Sequence, residues 1–201
     1  MTRREVIKAT ALMTGYAVSA SVLGAIMQGC QARQKVDLSK WQPMFFTKEQ
    51  GLTVAAMSEQ ILPYTKESPG ATDVFVHEYI DVLLAECTDE KGQQKFRDGF
   101  AQFEADCQST YGKPFGQCDA EQQLEYMNKL DVAARALVKP LTRAELAEKL
   151  PFILKFKEMT IAGYFSSKEV AMNILNYDPV PGQYVGCYPI AEVKNGRSWA
   201  L

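Results

Sequence analysis

One spacing limits what this chain can build. Phe96, Phe100, Phe103, Cys107 and Tyr111 recur at three- and four-residue steps, which puts large apolar side chains on one face of a helix. A stripe of this kind is most often core. Gly99 breaks it only mildly, and Gly112-Lys113-Pro114 stops it. The same period runs through Val76, Ile80, Leu83, Leu84 and Cys87, after a loop from Pro63 through Pro69-Gly70-Ala71.

Local start signals supply the other helices. Thr47-x-x-Gln50 is a capping box opening an element with Leu52, Ala55, Ala56, Ile61 and Leu62, which ends at Pro63. Asp119-x-x-Gln122 caps a helix carrying Leu124, Met127 and Leu130, and Thr142-x-x-Glu145 caps a short one. Pro151 suits the first turn of a strongly apolar helix from Phe152 to about Phe165, and Ser166-Ser167-Lys168-Glu169 recaps a last piece through Leu175. No alternating run is long enough to found a sheet, and no internal repeat is evident. The expected fold is all-α, a small helical domain of about five to seven helices.

From Asn176 helical periodicity stops. Pro179, Pro181, Gly182, Gly186, Pro189 and Gly196 prevent long regular elements, yet Tyr177, Tyr184, Tyr188 and Trp199 are too apolar for a solvated tail. An extended, irregular C-terminal segment that packs against something is expected over residues 176–201, after a helical domain at 46–175.

Residues 1–30 read differently. Arg3-Arg4 is followed by apolar Val6 and Ile7 and then Lys8, after which no charge appears from Ala9 to Ala32. This order matches the pattern read by the twin-arginine translocase, so export to the periplasm is expected. Thr10, Thr14, Gly15, Ser19, Ser21 and Gly24 dilute the uncharged stretch, which disfavours the alternative of a permanent membrane helix. Met27-Gln28-Gly29-Cys30 has the small residue and cysteine of a lipoprotein site without the usual residues before them. Cys30 is therefore a candidate for lipidation, with ordinary signal cleavage nearby as the alternative, and residues 31–45 would be a tether.

Charge and residue inventory remove several functions. Of 22 basic and 24 acidic residues the first eight positions hold three and one, which leaves 19 against 23, mixed singly along the chain. A nucleic-acid surface needs a basic stripe, so that partner is excluded. His77 is the only histidine, which rules out a His-based metal cluster and favours a structural or surface role within its helix. No C-x-x-C spacing and no glycine-rich nucleotide loop after a strand is present, so neither a metal nor a cofactor site is expected in this chain. Catalytic residues are expected to be absent too.

Five cysteines suit an oxidising compartment: with Cys30 set aside, Cys87, Cys107, Cys118 and Cys187 form an even set. Cys107 and Cys118 flank the Gly-Pro turn and are the simplest pair. Cys87 could then bridge Cys187, or Cys187 could pair across a subunit boundary.

An ordered series of segments carries a resemblance. Ile61-Leu62-Pro63 with Pro69-Gly70-Ala71, then His77-Glu78-Tyr79-Ile80-Asp81, Thr160 through Ser167, and Leu175-Asn176-Tyr177-Asp178-Pro179-Val180-Pro181-Gly182 with Gly186-Cys187 together resemble the gluconate 2-dehydrogenase subunit 3 family. The resemblance implies a non-catalytic accessory subunit of a periplasm-facing sugar or sugar-acid dehydrogenase. Its large subunit would be an FAD flavoprotein of the glucose-methanol-choline type, exported on this chain's signal, with electrons leaving through a cytochrome c subunit or another acceptor.

Tyr164, Phe165, Tyr177, Pro179, Pro181, Tyr184, Cys187 and Tyr188 are the expected contact residues for that partner, with packing inside the subunit as the alternative for the helical ones and a rigid loop only as the alternative for Pro179-Val180-Pro181-Gly182. A free-standing periplasmic helical lipoprotein acting as a binding module is the rival reading.

Overall fold

A computed structural model describes residues 37–180, 182, 186–193 and 196–200. The twin arginines Arg3 and Arg4, Cys30, Pro181 and Tyr184 lie outside the described residues. Seven α-helices and three short 3-10 turns follow one another among the described residues, with no strand, so the fold is all-α.

The three predicted capping boxes form. Helix α1 (Lys48–Ile61) begins at a reciprocal Thr47/Gln50 capping box. It ends before Pro63, whose ring pushes the preceding Leu62 out of the helical region. Helix α2 is Val76–Glu86, and α3 (Glu90–Tyr111) is capped by Asp89 and closed by Gly112 at φ 71°. Helix α4 (Ala120–Val138) has the Asp119/Gln122 box and α5 (Arg143–Lys149) the Thr142/Glu145 box. Helix α6 is Phe152–Ser166, with Pro151 at the cap rather than in the first turn, and α7 is Lys168–Asn173. The last helix stops two residues short of the expected Leu175, but Ile174 and Leu175 still pack on the core.

The strongly apolar α6 is the hub. It packs against α1, α2, α3, α4 and α7 through a broad face of Ile153, Phe156, Met159, Thr160, Gly163 and Tyr164, while Lys155 and Glu158 face solvent. Phe152 at its start inserts into the aromatic stripe of α3, with ring centroids 5.2 Å from Phe96, 6.2 Å from Phe100 and 5.8 Å from Phe103. Gly99 makes room for it: a Cβ on Gly99 would lie 2.8 Å from the Phe152 Cβ. The glycine that seems to weaken the stripe is the position that admits the hub helix. Asp131 ties α4 to α6 through Lys157 Nζ at 2.7 Å, while Arg135 Nε reaches its other oxygen.

Of the expected tether over 31–45, residues 41 and 45 are packed on the helical domain, and 31–36 lie outside the described residues. Trp41 packs against Gly51 and His77, and Phe45 and Phe46 are buried. A buried carboxylate fixes this segment: Asp81 of α2 accepts the backbone N–H groups of Met44 at 2.6 Å, Phe45 at 3.0 Å and Phe46 at 3.1 Å. Three consecutive amides ahead of α1 have no helical acceptor of their own, and a charge-assisted partner offsets the cost of burying them.

We expect Asp81→Ala to lower unfolding free energy by about 3 kcal/mol, because amides without acceptors replace charge-assisted bonds. Asp81→Asn, which keeps one acceptor oxygen, should fall between the two. Urea titration measures this, and a loss below about 1 kcal/mol for Asp81→Ala would show that the segment is held by its aromatic packing instead.

Candidate functional site

The C-terminal segment leaves the helical domain at Asn176 and comes back to it. Asn176 N donates to Ser198 O at 3.0 Å, Ala200 N donates to Asn176 O at 2.8 Å, and Asn176 forms a parallel bridge with Trp199. The Asn176 side-chain amide donates to Arg197 O, and the Arg197 guanidinium returns a bond to Ile174 O at 3.0 Å. Asn176 is itself buried, so both chain directions are fixed where they meet the domain.

What the segment displays is apolar. Tyr177 is 55% exposed, Val180 81% and Trp199 51%, and Tyr188 and Ile190 are likewise exposed. Pro179, Pro189 and Cys187 are exposed as well, Cys187 in a turn with φ 54°, while Val193 is buried. Of the residues proposed from sequence for partner contact, Tyr177, Pro179, Cys187 and Tyr188 therefore stand on the surface.

Two others do not. Tyr164 is 4% exposed, and its hydroxyl donates to Pro69 O at 2.8 Å; Phe165 packs edge-on against it and is partly buried on the core. The small residues beside them serve the same internal purpose, since a Cβ on Gly163 would lie 2.5 Å from Tyr79 Cδ1. Thr160 is buried and back-bonds to Phe156 O. Within Thr160–Ser167, then, Tyr164 and Phe165 take the alternative given for them, packing within the subunit, while Ile161, Ala162 and Ser166 are exposed.

A second exposed stripe was not identified from sequence. Phe75, Tyr79 and Val82 are exposed at positions i, i+4 and i+7 along α2, beside the buried face of Val76, Ile80 and Leu84. The signal was present: α2 has apolar residues on more of its circumference than one core face uses. Phe75 also takes the left-handed conformation at φ 57° ahead of α2, without a side-chain cap. The turn before it is held instead by Glu59, which accepts from the Thr72 amide and hydroxyl, and by Asp73, which accepts from Gly70 N.

The cysteines divide by burial. Cys107 and Cys118 are buried with their sulfurs 3.8 Å apart, whereas Cys87 and Cys187 are exposed thiols at separate places in the chain. Among the described residues no group of three or more His, Cys, Asp or Glu could hold a metal ion. No described helix is long and apolar enough to cross a membrane.

His77 is completely buried on α2, 4.9 Å from the Trp41 ring in an edge arrangement, and neither ring nitrogen has a hydrogen-bond partner. Burial pulls its pKa from the usual 6.5 down to about 4, against an upward pull from Asp81 one turn away. The side chain is a neutral core residue, as its setting between Val76 and Tyr79 suggested.

The model of the family described as Gluconate 2-dehydrogenase subunit 3 matches residues 48–182. The chain belongs to this family. No curated protein and no solved structure matches it. The matched span begins with the first residue of α1, contains all seven helices, and runs into the start of the returning segment. A subunit 3 family member is a component of a dehydrogenase complex. Its exposed apolar surfaces are accordingly the first place to look for function.

His77 makes one property of this subunit measurable. Its folded pKa lies below its unfolded one, so its contribution to stability is complete above about pH 6.5 and is lost as the pH falls toward about 4. Between pH 7 and pH 5 we expect a loss of about 2 kcal/mol from this group. Urea melts at the two pH values should show that slope in the parent chain and a flatter one in His77→Phe. Equal slopes in both would mean the imidazole is protonated in place.

Proposed function

We propose that this chain is a non-catalytic accessory subunit that escorts, stabilises and positions an FAD-dependent dehydrogenase of sugars or sugar acids. The partner is a flavoprotein of the glucose-methanol-choline type, and the complex works on the periplasmic side of the membrane. The twin-arginine segment around Arg3 and Arg4 exports both proteins together, after the partner has folded around its flavin. Electrons pass from the flavoprotein to a cytochrome c subunit or another acceptor. Catalysis resides in the partner.

One observation carries the docking part of this reading: Tyr177, Val180, Tyr188, Ile190 and Trp199 are exposed on a single proline- and glycine-rich segment. Large apolar side chains at this density are costly in water and suit a surface covered in the assembled protein. Aromatic anchors of this kind dominate interface energetics, and Tyr and Trp bring large contact area with few rotatable bonds.

Export on a shared signal accounts for the other end of the chain. The twin-arginine route carries folded proteins, and this sequence has no cofactor motif that would need cytoplasmic loading. A folded, flavin-loaded partner supplies the need.

Two experiments test the two halves. Tyr177→Asp with Val180→Asp, at positions where the subunit's own core is untouched, should cut recovery of the yellow flavoprotein in a native pull-down by tenfold or more, with the variant's circular dichroism unchanged. Undiminished recovery would remove this segment from the interface. Arg3→Lys with Arg4→Lys should leave dehydrogenase activity in the cytoplasmic fraction; unchanged periplasmic activity would show that the partner has its own route.

A further inference from the structure

The turn between α3 and α4 brings two thiols together inside the protein. Cys107 lies in the last turn of α3 and is fully buried, and Cys118 follows the 3-10 turn Phe115–Gln117 and is 7% exposed. Their sulfurs stand 3.8 Å apart, and Cys107 Sγ lies 3.9 Å from the backbone carbonyl oxygen of Lys113. Cys118 Sγ also lies 3.6 Å from Pro114 O.

The frame that holds them does not use sulfur. Gly112 turns the chain at φ 71° and its N–H closes on Gln108 O at 2.8 Å. On the other side the Asp119/Gln122 box opens α4. Between the two, the buried Gln123 amide donates to Phe115 O at 3.0 Å and to Cys118 O at 3.1 Å. Tyr126 donates from α4 to Phe103 O on α3 at 2.8 Å. These hydrogen bonds hold the two backbone segments without involving either sulfur, and a disulfide of about 2.05 Å needs the two sulfurs to approach from 3.8 Å.

We propose that Cys107 and Cys118 are a disulfide site that closes within the chain against a disulfide oxidant. Cys118, the sulfur with some exposure, attacks the oxidant's disulfide as a thiolate, forming a mixed disulfide and releasing one oxidant thiol. Cys107 then gives up its proton and attacks the Cys118 sulfur, and the second oxidant thiol leaves. Two cysteine thiols are oxidised to one S–S bond while one oxidant disulfide is reduced to two thiols.

Cys107 is fully enclosed whereas Cys118 has some exposure, so Cys118 meets the oxidant first; burial and the Cys118 contact also push the Cys107 thiol up to about 12. The inference does not depend on the partner assignment: it concerns this chain alone, in any oxidising compartment.

The test uses the full-length protein. One sample is held in oxidised glutathione and another in dithiothreitol; each is then unfolded, treated with N-ethylmaleimide and digested with trypsin. Residues 98–129 remain one peptide, because Lys113 precedes Pro114. The oxidised sample should yield this peptide without N-ethylmaleimide and lighter by about two hydrogens than the unmodified dithiol, and the reduced sample should yield it with both thiols labelled.

The melting temperature should rise by roughly 5 °C on oxidation, as expected for closing a short loop. That rise should vanish in Cys107→Ala with Cys118→Ala. Two labelled thiols after oxidation, a glutathione adduct that persists on Cys118, or a link from either residue to Cys87 or Cys187 would each overturn the proposal. The peptide measurement is made on the parent chain and decides the matter even where the double variant folds poorly.

Discussion

A single buried carboxylate sets where the folded domain begins. Asp81 sits in the middle of α2, yet its two oxygens are spent on amides 35 to 37 residues earlier in the chain. By holding Met44, Phe45 and Phe46, it aims Phe45 and Phe46 at Phe96 and Phe100 and delivers Thr47 to the start of α1 in capping geometry. Helices α1, α2 and α3 meet around that point. The isolated ion would be expensive to bury; three amides in one arc supply the field that water would otherwise provide.

Helix α6 answers a different requirement. One element must meet five helices, which demands a broad apolar face and partners that leave space. Gly99 on α3 leaves room for Phe152, and Gly163 on α6 itself leaves room for Tyr79. Both glycines lie within helices, where they cost about 1 kcal/mol each in propensity. Here they permit contacts that a methyl group would block, so the same residue type that weakens a helix locally sets how closely it can be approached.

How much of this could be read from sequence depended on range. Thr47/Gln50, Asp119/Gln122 and Thr142/Glu145 act within one helical turn, so all three capping boxes were visible as written. The Phe96–Phe103 stripe was visible for the same reason, since its period belongs to one helix. The packing of Trp41 and Phe45 was not read from sequence because the acceptor that organises this segment is Asp81, and no local pattern joins them. For Tyr164 the sequence left partner contact and internal packing open for a similar cause: its partner Pro69 O is 95 residues away, and an aromatic at a helix end looks alike whether it faces a neighbour or its own core. Within the C-terminal segment, composition alone signalled that Tyr177 and Tyr188 needed explaining, whereas the pairing of Asn176 with Ser198 and Ala200 left no trace in the spacing.

That pairing changes what kind of object the segment is. A chain that departs at Asn176 and is fastened again through Ser198 and Ala200 is held both where it leaves the domain and where it returns. A free tail of the same composition would surrender its full conformational freedom on binding, and that entropy would be subtracted from the affinity its aromatic residues provide. Here part of the loss has already been incurred during folding of the subunit itself. The apolar residues are presented by a tethered surface, so specificity can reside in the spacing between them as well as in their chemistry.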